Sequence, residues 1–273
     1  MKKKKIRKLS NIINYYDKLG LIEKKIDSLK EKDKEFNKSK ILLNNNKYIK
    51  FLKKIINIPK YKLISYAKDF SNDKKFKKIF LKKLNKLNKT AKTGDIRFHS
   101  FTLYLIVRAI KPKLIIETGV CNGKSSTMIL LAMEHNNYGK LVSIDKILNK
   151  NSKLRDNTSY NYVNNKNAYL IPSYLKNRWK FFSGDSVLFL KKFKKEKKFL
   201  NPDIFFHDSL HTYKHVTNEI SSILNLIEKK NKILIIVDDI DMGGGLALNN
   251  FLKKNNLIGY AFRNLGGINF LLK

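Results

Sequence analysis

The run Leu114-Ile115-Ile116-Glu117-Thr118-Gly119-Val120-Cys121-Asn122-Gly123-Lys124-Ser125 places a carboxylate at the end of an apolar stretch. Two glycines four apart follow, and then hydroxyl residues that open an amphipathic segment. This order predicts a buried strand, a tight turn and a helix N-terminus, where α/β proteins hold nucleotide-like ligands. Glu117 narrows the chemistry, because a carboxylate at a strand tip repels phosphate but accepts hydrogen bonds from hydroxyl or ammonium groups. The turn therefore reads as the seat of a ligand without phosphates.

Later apolar runs also end in acids: Asp145, then Gly184-Asp185, then Asp208, then Asp238-Asp239. Ligands of parallel sheets sit beyond the carboxyl ends of the strands. One acid after a strand is commonly a turn or cap residue. Several such ends converging on one rim would repel one another without a ligand or cation between them. His211, three residues after Asp208, is the candidate general base, since imidazole titrates nearest neutrality. His207, His211 and His215 also have the spacing of a zinc pair, but histidines so spaced are more often surface or satisfied core residues.

These groups need a scaffold to bring them together. From Asp95 onward the sequence alternates between strand-like and helix-like segments. Strands are expected at 114–117, 141–145, 179–183, 203–207, 233–237, 258–262 and 268–272. Helices are expected at 98–109, 125–134, 213–228 and from the Gly243-Gly244-Gly245 turn to Lys254. The expected fold is α/β, a doubly wound, mostly parallel seven-stranded sheet with helices on both faces. Residues 146–178 are Asn-rich and aperiodic, and loops of that length are often functional lids. Residues 1–94 read as a Lys-rich helical extension, with apolar stripes at Ile49, Leu52, Ile55, Ile56 and at Phe76, Ile79, Phe80, Leu84, Leu87. Residues 95–273 are the expected catalytic domain.

The segment Glu117-x-Gly119-x-x-x-Gly123-x-Ser125 resembles the first motif of class I S-adenosylmethionine-dependent methyltransferases, in the form used by catechol and caffeoyl-CoA O-methyltransferases. The segments 206–213 and 235–240 resemble the group that includes cephalosporin-hydroxylase-like and sugar O-methyltransferases. The likeness covers about residues 95–273. It implies that Glu117, Gly119, Gly123 and Ser125 lie along the methionine end of S-adenosylmethionine. It further implies that Asp145 accepts from the ribose hydroxyls and that Asp185 and Ser186 flank the adenine. Asp208, Asp238 and Asp239 match positions that hold Mg²⁺ in metal-dependent members, with Asp208 and His211 as catalytic residues. The implied reaction is methylation of a hydroxyl on a small molecule, a saccharide or secondary metabolite. The sequence departs from the pattern at Cys121, which replaces a glycine of the commonest loop, at Thr118, where an apolar residue is usual, and at Asp239, where some relatives carry Asn.

The 273 residues carry 58 basic and 22 acidic side chains, a net charge of +36. Such a balance suggests nucleic acid or an anionic surface as a partner. Nearly all of it is lysine, with only six arginines, and Lys, Asn and Ile share A/T-rich codons. Genome composition is therefore the favoured cause. A single cysteine excludes an internal disulfide, and no apolar run is long enough to span a bilayer. The stretch 9–16 is too polar for a signal peptide. A cytoplasmic enzyme is expected, with a homo-oligomer left open. Two rival functions are a P-loop-like nucleotide hydrolase, one residue short in its glycine spacing, and an RNA-directed methyltransferase using the basic extension. Asp239-Ile240-Asp241 also reads as the D-x-D of a glycosyltransferase.

Overall fold

Strands such as Leu114–Thr118 and Lys232–Val237 are buried at nearly every position, so they must be covered on both faces. In the computed structural model they are. The structure describes residues 9–15, 39, 41–91, 98–146, 168–228, 231–263 and 265–271. The elements run β1 (Ile12–Asn14), α1 (Asn46–Ile56), α2 (Lys60–Asn72), α3 (Lys74–Ala91), α4 (Phe98–Ile110), β2 (Leu114–Thr118), α5 (Lys124–Asn136) and β3 (Lys140–Asp145). After a short 3₁₀ turn (Ser173–Arg178) come β4 (Trp179–Ser183), α6 (Ser186–Lys195), β5 (Ile204–His207) and α7 (Tyr213–Leu224). The chain continues as β6 (Lys232–Val237), α8 (Gly243–Lys254), β7 (Gly259–Phe262) and β8 (Leu265–Leu271).

The strand order is β1-β7-β8-β6-β5-β2-β3-β4. Neighbours are parallel except where β8 runs antiparallel between β6 and β7. The sheet therefore has eight strands and not seven. The additional strand is β1, which pairs Ile12–Asn14 with Gly259–Ala261. A three-residue strand inside a Lys/Asn-rich stretch corrects the expectation that everything before residue 94 is helical.

Alternation along each strand sorts the core into two layers. Ile115, Phe206 and Ile236 join the cluster that contains α4 and α5. Ile116, Phe205, Ile235 and Val237 join the cluster that contains α6, α7 and α8. The first cluster also takes in α1, α2 and α3 through Leu52, Phe70 and Phe80. The Phe70 ring lies 5.3 Å from Phe101 and 5.2 Å from Tyr104, and Tyr48 lies 5.1 Å from Phe262. Burying one such ring contributes about 1.5–3 kcal/mol.

A polar seam fixes the same contact. Arg108 Nη2 meets Asp69 at 2.6 Å, and His135 stands between Tyr104 (2.8 Å) and Asp73 (3.1 Å). The apolar stripes of the extension thus have the partner surface they require, with Asn45 and Asp73 capping α1 and α3. Residues 147–167, most of the expected lid, lie outside the described residues, as do residues 1–8 and 272. Among the described residues, no helix is long and apolar enough to cross a membrane.

Candidate functional site

The order of strands reverses at β2. After β2 the chain builds β3 and β4 on one side, and returns with β5 on the other. The loops after β2 and β5 therefore part at this point, which is where doubly wound sheets open a crevice. They touch at its floor, where Asp208 N–H donates to the Thr118 carbonyl at 2.8 Å.

Gly119 has φ +83°, and a Cβ there would lie 1.9 Å from the Asp208 carbonyl oxygen. Gly123, with φ +81°, would put a Cβ 2.9 Å from the Ala168 Cα. Both glycines are thus required by close approach of this chain's own backbone, a more local reason than the approach of a cofactor. Ser125 is buried in the first turn of α5.

Glu117 is fully buried. Its Oε2 accepts from Ser126 Oγ at 2.7 Å and Ser143 Oγ at 2.6 Å, while Oε1 is buried with no hydrogen-bond partner. Burial pushes its carboxyl up to about 7, against the two serine hydroxyls, which hold it down. Asp145, at the end of β3, bends over the glycine turn. Its Oδ2 accepts from Val120 N–H (3.0 Å) and Cys121 N–H (2.8 Å). Burial raises this carboxyl and these amides, with that of Lys146, counter it. The same contacts weigh against the P-loop alternative, because the amides that would cradle a phosphate already hold an anion. Burial also pushes the Cys121 thiol up to about 12, which removes it as a nucleophile.

Asp185 is exposed and caps α6, with Oδ1 accepting from Leu188 N–H at 2.9 Å. Ser186 is buried and its hydroxyl donates to Glu219. Glu219 is the centre of a network that the sequence reading missed. Its Oε1 also accepts from Ser209 Oγ (3.0 Å) and meets His215 Nε2 (2.9 Å). Its Oε2 accepts from Thr118 Oγ1 (2.9 Å) and meets His207 Nδ1 (2.6 Å). Burial would raise Glu219, but the two imidazoles override it and hold the carboxyl well below its ordinary value. His215 moves the opposite way: burial lowers it, and Glu219 with Asp185 raise it further. His207 and His215 are therefore committed to Glu219, and the expected H-x-x-x-H spacing is not a helical pair, since His207 ends β5. The signal was present: Glu219 falls three residues from Val216, on the apolar face of α7.

Asp208, His211 and Asp238 come together, each offering a ligand atom within 4.8 Å of the others. His211 Nε2 stands 3.8 Å from Asp208 Oδ1, and His211 and Asp238 are buried. Asp239 is not in this group. The chain leaves β6 there in the left-handed region (φ 48°). Two carboxylates and an imidazole form a mixed oxygen and nitrogen donor set. The carboxylates suit Mg²⁺, and the imidazole suits Mn²⁺ or another first-row ion as well.

Residues 116–240 match the sequence model of a family described as "Methyltransferase domain". No curated protein matches the chain. Among solved structures, the O-methyltransferase TomG from Streptomyces achromogenes, described as involved in tomaymycin synthesis and in complex with SAM, is similar at 14% identity. That match covers 71% of this chain and 90% of that one, with a TM-score of 0.50. A methyltransferase from Geobacter sulfurreducens is similar at 18% identity, over 72% and 90%, with a TM-score of 0.48. An O-methyltransferase from Bacillus cereus in complex with SAH is similar at 15%, over 68% and 76%, with a TM-score of 0.44. The family match runs from Ile116 to Ile240, through both the glycine turn and the acidic strand ends, so that segment is similar to a methyltransferase domain.

Proposed function

We propose that the chain methylates a hydroxyl group of a small molecule, a saccharide or a secondary metabolite, with help from a divalent ion. The observation that carries this reading is the meeting of Asp208, His211 and Asp238 at the carboxyl end of the sheet, beside the glycine turn. Bound S-adenosylmethionine supplies an electrophilic methyl on a sulfonium. The residues supply the rest. Asp145 holds the turn and would meet a ribose hydroxyl there, and Glu117 places a buried oxygen without a hydrogen-bond partner under it.

Asp208 and Asp238 would hold Mg²⁺ or Mn²⁺, with His211 as third ligand or as the base that takes the hydroxyl proton. A bound ion lowers a hydroxyl's pKa and orients its oxygen. Methyl transfer then depends mainly on alignment. A cytoplasmic site of action fits a chain with one cysteine, and nucleic acid remains the less favoured partner.

Calorimetry decides the first step: S-adenosylhomocysteine should bind and ATP should not. Tight ATP binding with none for S-adenosylhomocysteine would overturn the reading. Asp238→Ala should abolish stimulation by Mg²⁺ or Mn²⁺ and spare the affinity for S-adenosylhomocysteine.

A further inference from the structure

The glycine turn is not held by its own strand and helix alone. Ala168 N–H donates to the Cys121 carbonyl at 2.7 Å, and Leu170 N–H donates to the Asn122 carbonyl at 2.9 Å. Residues 168–171 thus lie across the turn as a strap. Gly123 exists to admit them, since a Cβ there would meet the Ala168 Cα at 2.9 Å and Ile171 Cγ1 at 3.1 Å. Ala168 itself is bent into the left-handed region, φ 60°. A conformation of that kind persists in a non-glycine residue only where neighbours enforce it.

The enforcing group comes from the N-terminal helices. Lys83 Nζ, on α3, donates to the Tyr169 carbonyl at 2.8 Å and to the Ile171 carbonyl at 3.0 Å. It also stands 5.2 Å from the centre of the Tyr169 ring. Below this contact Leu170 and Ile171 are fully buried in the cluster that contains Phe76, Phe80 and Leu84 of α3. Lys75 reinforces the arrangement from the same helix, 4.2 Å from the Tyr174 ring. The ammonium thus bonds two carbonyls of the strap, while two of the strap's amides bond carbonyls of the turn.

We infer that Lys83 is a positioning residue for the cofactor seat: it pins the strap 168–171, and the strap fixes the glycine turn. The N-terminal helical layer is by this account part of the wall of the methyltransferase site, not an accessory cap. The inference rests on the reading of the turn as the cofactor's seat.

The test uses the full chain with Lys83→Met, Lys83→Arg and, as control, Lys82→Met, an exposed neighbour on the same helix. Hydrogen exchange without ligand should show the amides of Ala168 and Leu170 opening roughly tenfold faster in Lys83→Met, as expected for losing two charge-assisted bonds. Core amides of β2 and β6 should be unchanged, which separates local release from a failure to fold. The affinity for S-adenosylhomocysteine should fall roughly five- to tenfold in Lys83→Met and largely recover in Lys83→Arg, which keeps the charge. Unchanged exchange at 168 and 170, or an equal effect from Lys82→Met, would overturn the inference. If the wild-type chain takes up no S-adenosylhomocysteine, the proposed function falls, and the exchange measurement still decides whether Lys83 holds the strap.

Discussion

Glu219 Oε2 lies 2.6 Å from Nδ1 of His207, and neither side chain has any exposure to solvent. A charge buried like this is tolerated only because five donors converge on it, from Thr118, Ser186, His207, Ser209 and His215. These donors come from β2, α6, the end of β5, the following loop and α7. One carboxylate thus ties together the segments that flank the site. Thr118, an oddity beside the usual motif, is explained by this bond.

Removing Glu219 should therefore be costly. Glu219→Ala is expected to lose about 3–5 kcal/mol, the usual cost of breaking a buried pair, read by chemical denaturation. The pH dependence has a definite sign. Glu219 is held below its ordinary value of 4.5, so its contribution is present above that value and lost as acid protonates it. His215 is raised above 6.5, so its contribution is full below that value and lost as pH rises through the higher folded one. The network should contribute most between about pH 4.5 and 6.5, and Glu219→Gln should flatten the profile there.

Glu117 offers an optical readout. Trp179, the chain's one tryptophan, donates from Nε1 to Ser143 Oγ at 2.9 Å, and Ser143 donates to Glu117 at 2.6 Å. With its carboxyl raised from 4.5 to about 7 by burial, Glu117 should ionise near neutrality. Tryptophan fluorescence is expected to titrate with a midpoint near 7, and Glu117→Gln should abolish the transition. The folded state holds this proton more tightly, so Glu117 should lower stability as pH climbs from 4.5 to about 7. Glu117→Gln should gain stability over wild type above that range.

Gly119→Ala should disconnect the two loops at the crevice floor. The positive φ costs a non-glycine residue about 1–3 kcal/mol, before the clash with the Asp208 carbonyl. The loss is expected in both thermal midpoint and Mn²⁺ affinity, since Asp208 moves with its backbone. A full retention of Mn²⁺ binding would show that the loops are set independently.

The proposed ion site of Asp208, His211 and Asp238 sets His211 apart from Asp239. His211→Ala and Asp238→Ala should each weaken Mn²⁺ binding by roughly tenfold or more, read by electron paramagnetic resonance, whereas Asp239→Ala should change it by less than about twofold. The opposite order would restore the three-carboxylate set expected from sequence.

Much of this architecture could be read from residue order. β4 and α8 begin and end where apolar pattern and glycine signals put them, at Trp179–Ser183 and Gly243–Lys254. What escaped was non-local. β8 starts at Leu265, because Gly266 and Gly267 lie inside the strand; a Cβ at Gly266 would press on Ile240 at 3.0 Å. In sequence the same pair reads as a turn. Asp238-Asp239 looked like a matched pair of ligands, but Asp239 itself stands in the left-handed region and falls outside the Asp208, His211 and Asp238 group. Helix α7 ends at Leu224, four residues before the expected end at Glu228. The contacts that select His211 cross from one loop to another, and no local pattern encodes them.

The pairing of Ile12–Asn14 with Gly259–Ala261 has a consequence for how the molecule is made. Asn11 N–H bonds to the Asn249 side chain, and its own side chain bonds to the Leu257 carbonyl. A ribosome releases residue 12 long before residue 259, so this segment has no place to go until the rest of the sheet is complete. It would be the last strand seated, and until then β7 presents a bare edge to any neighbouring nascent chain.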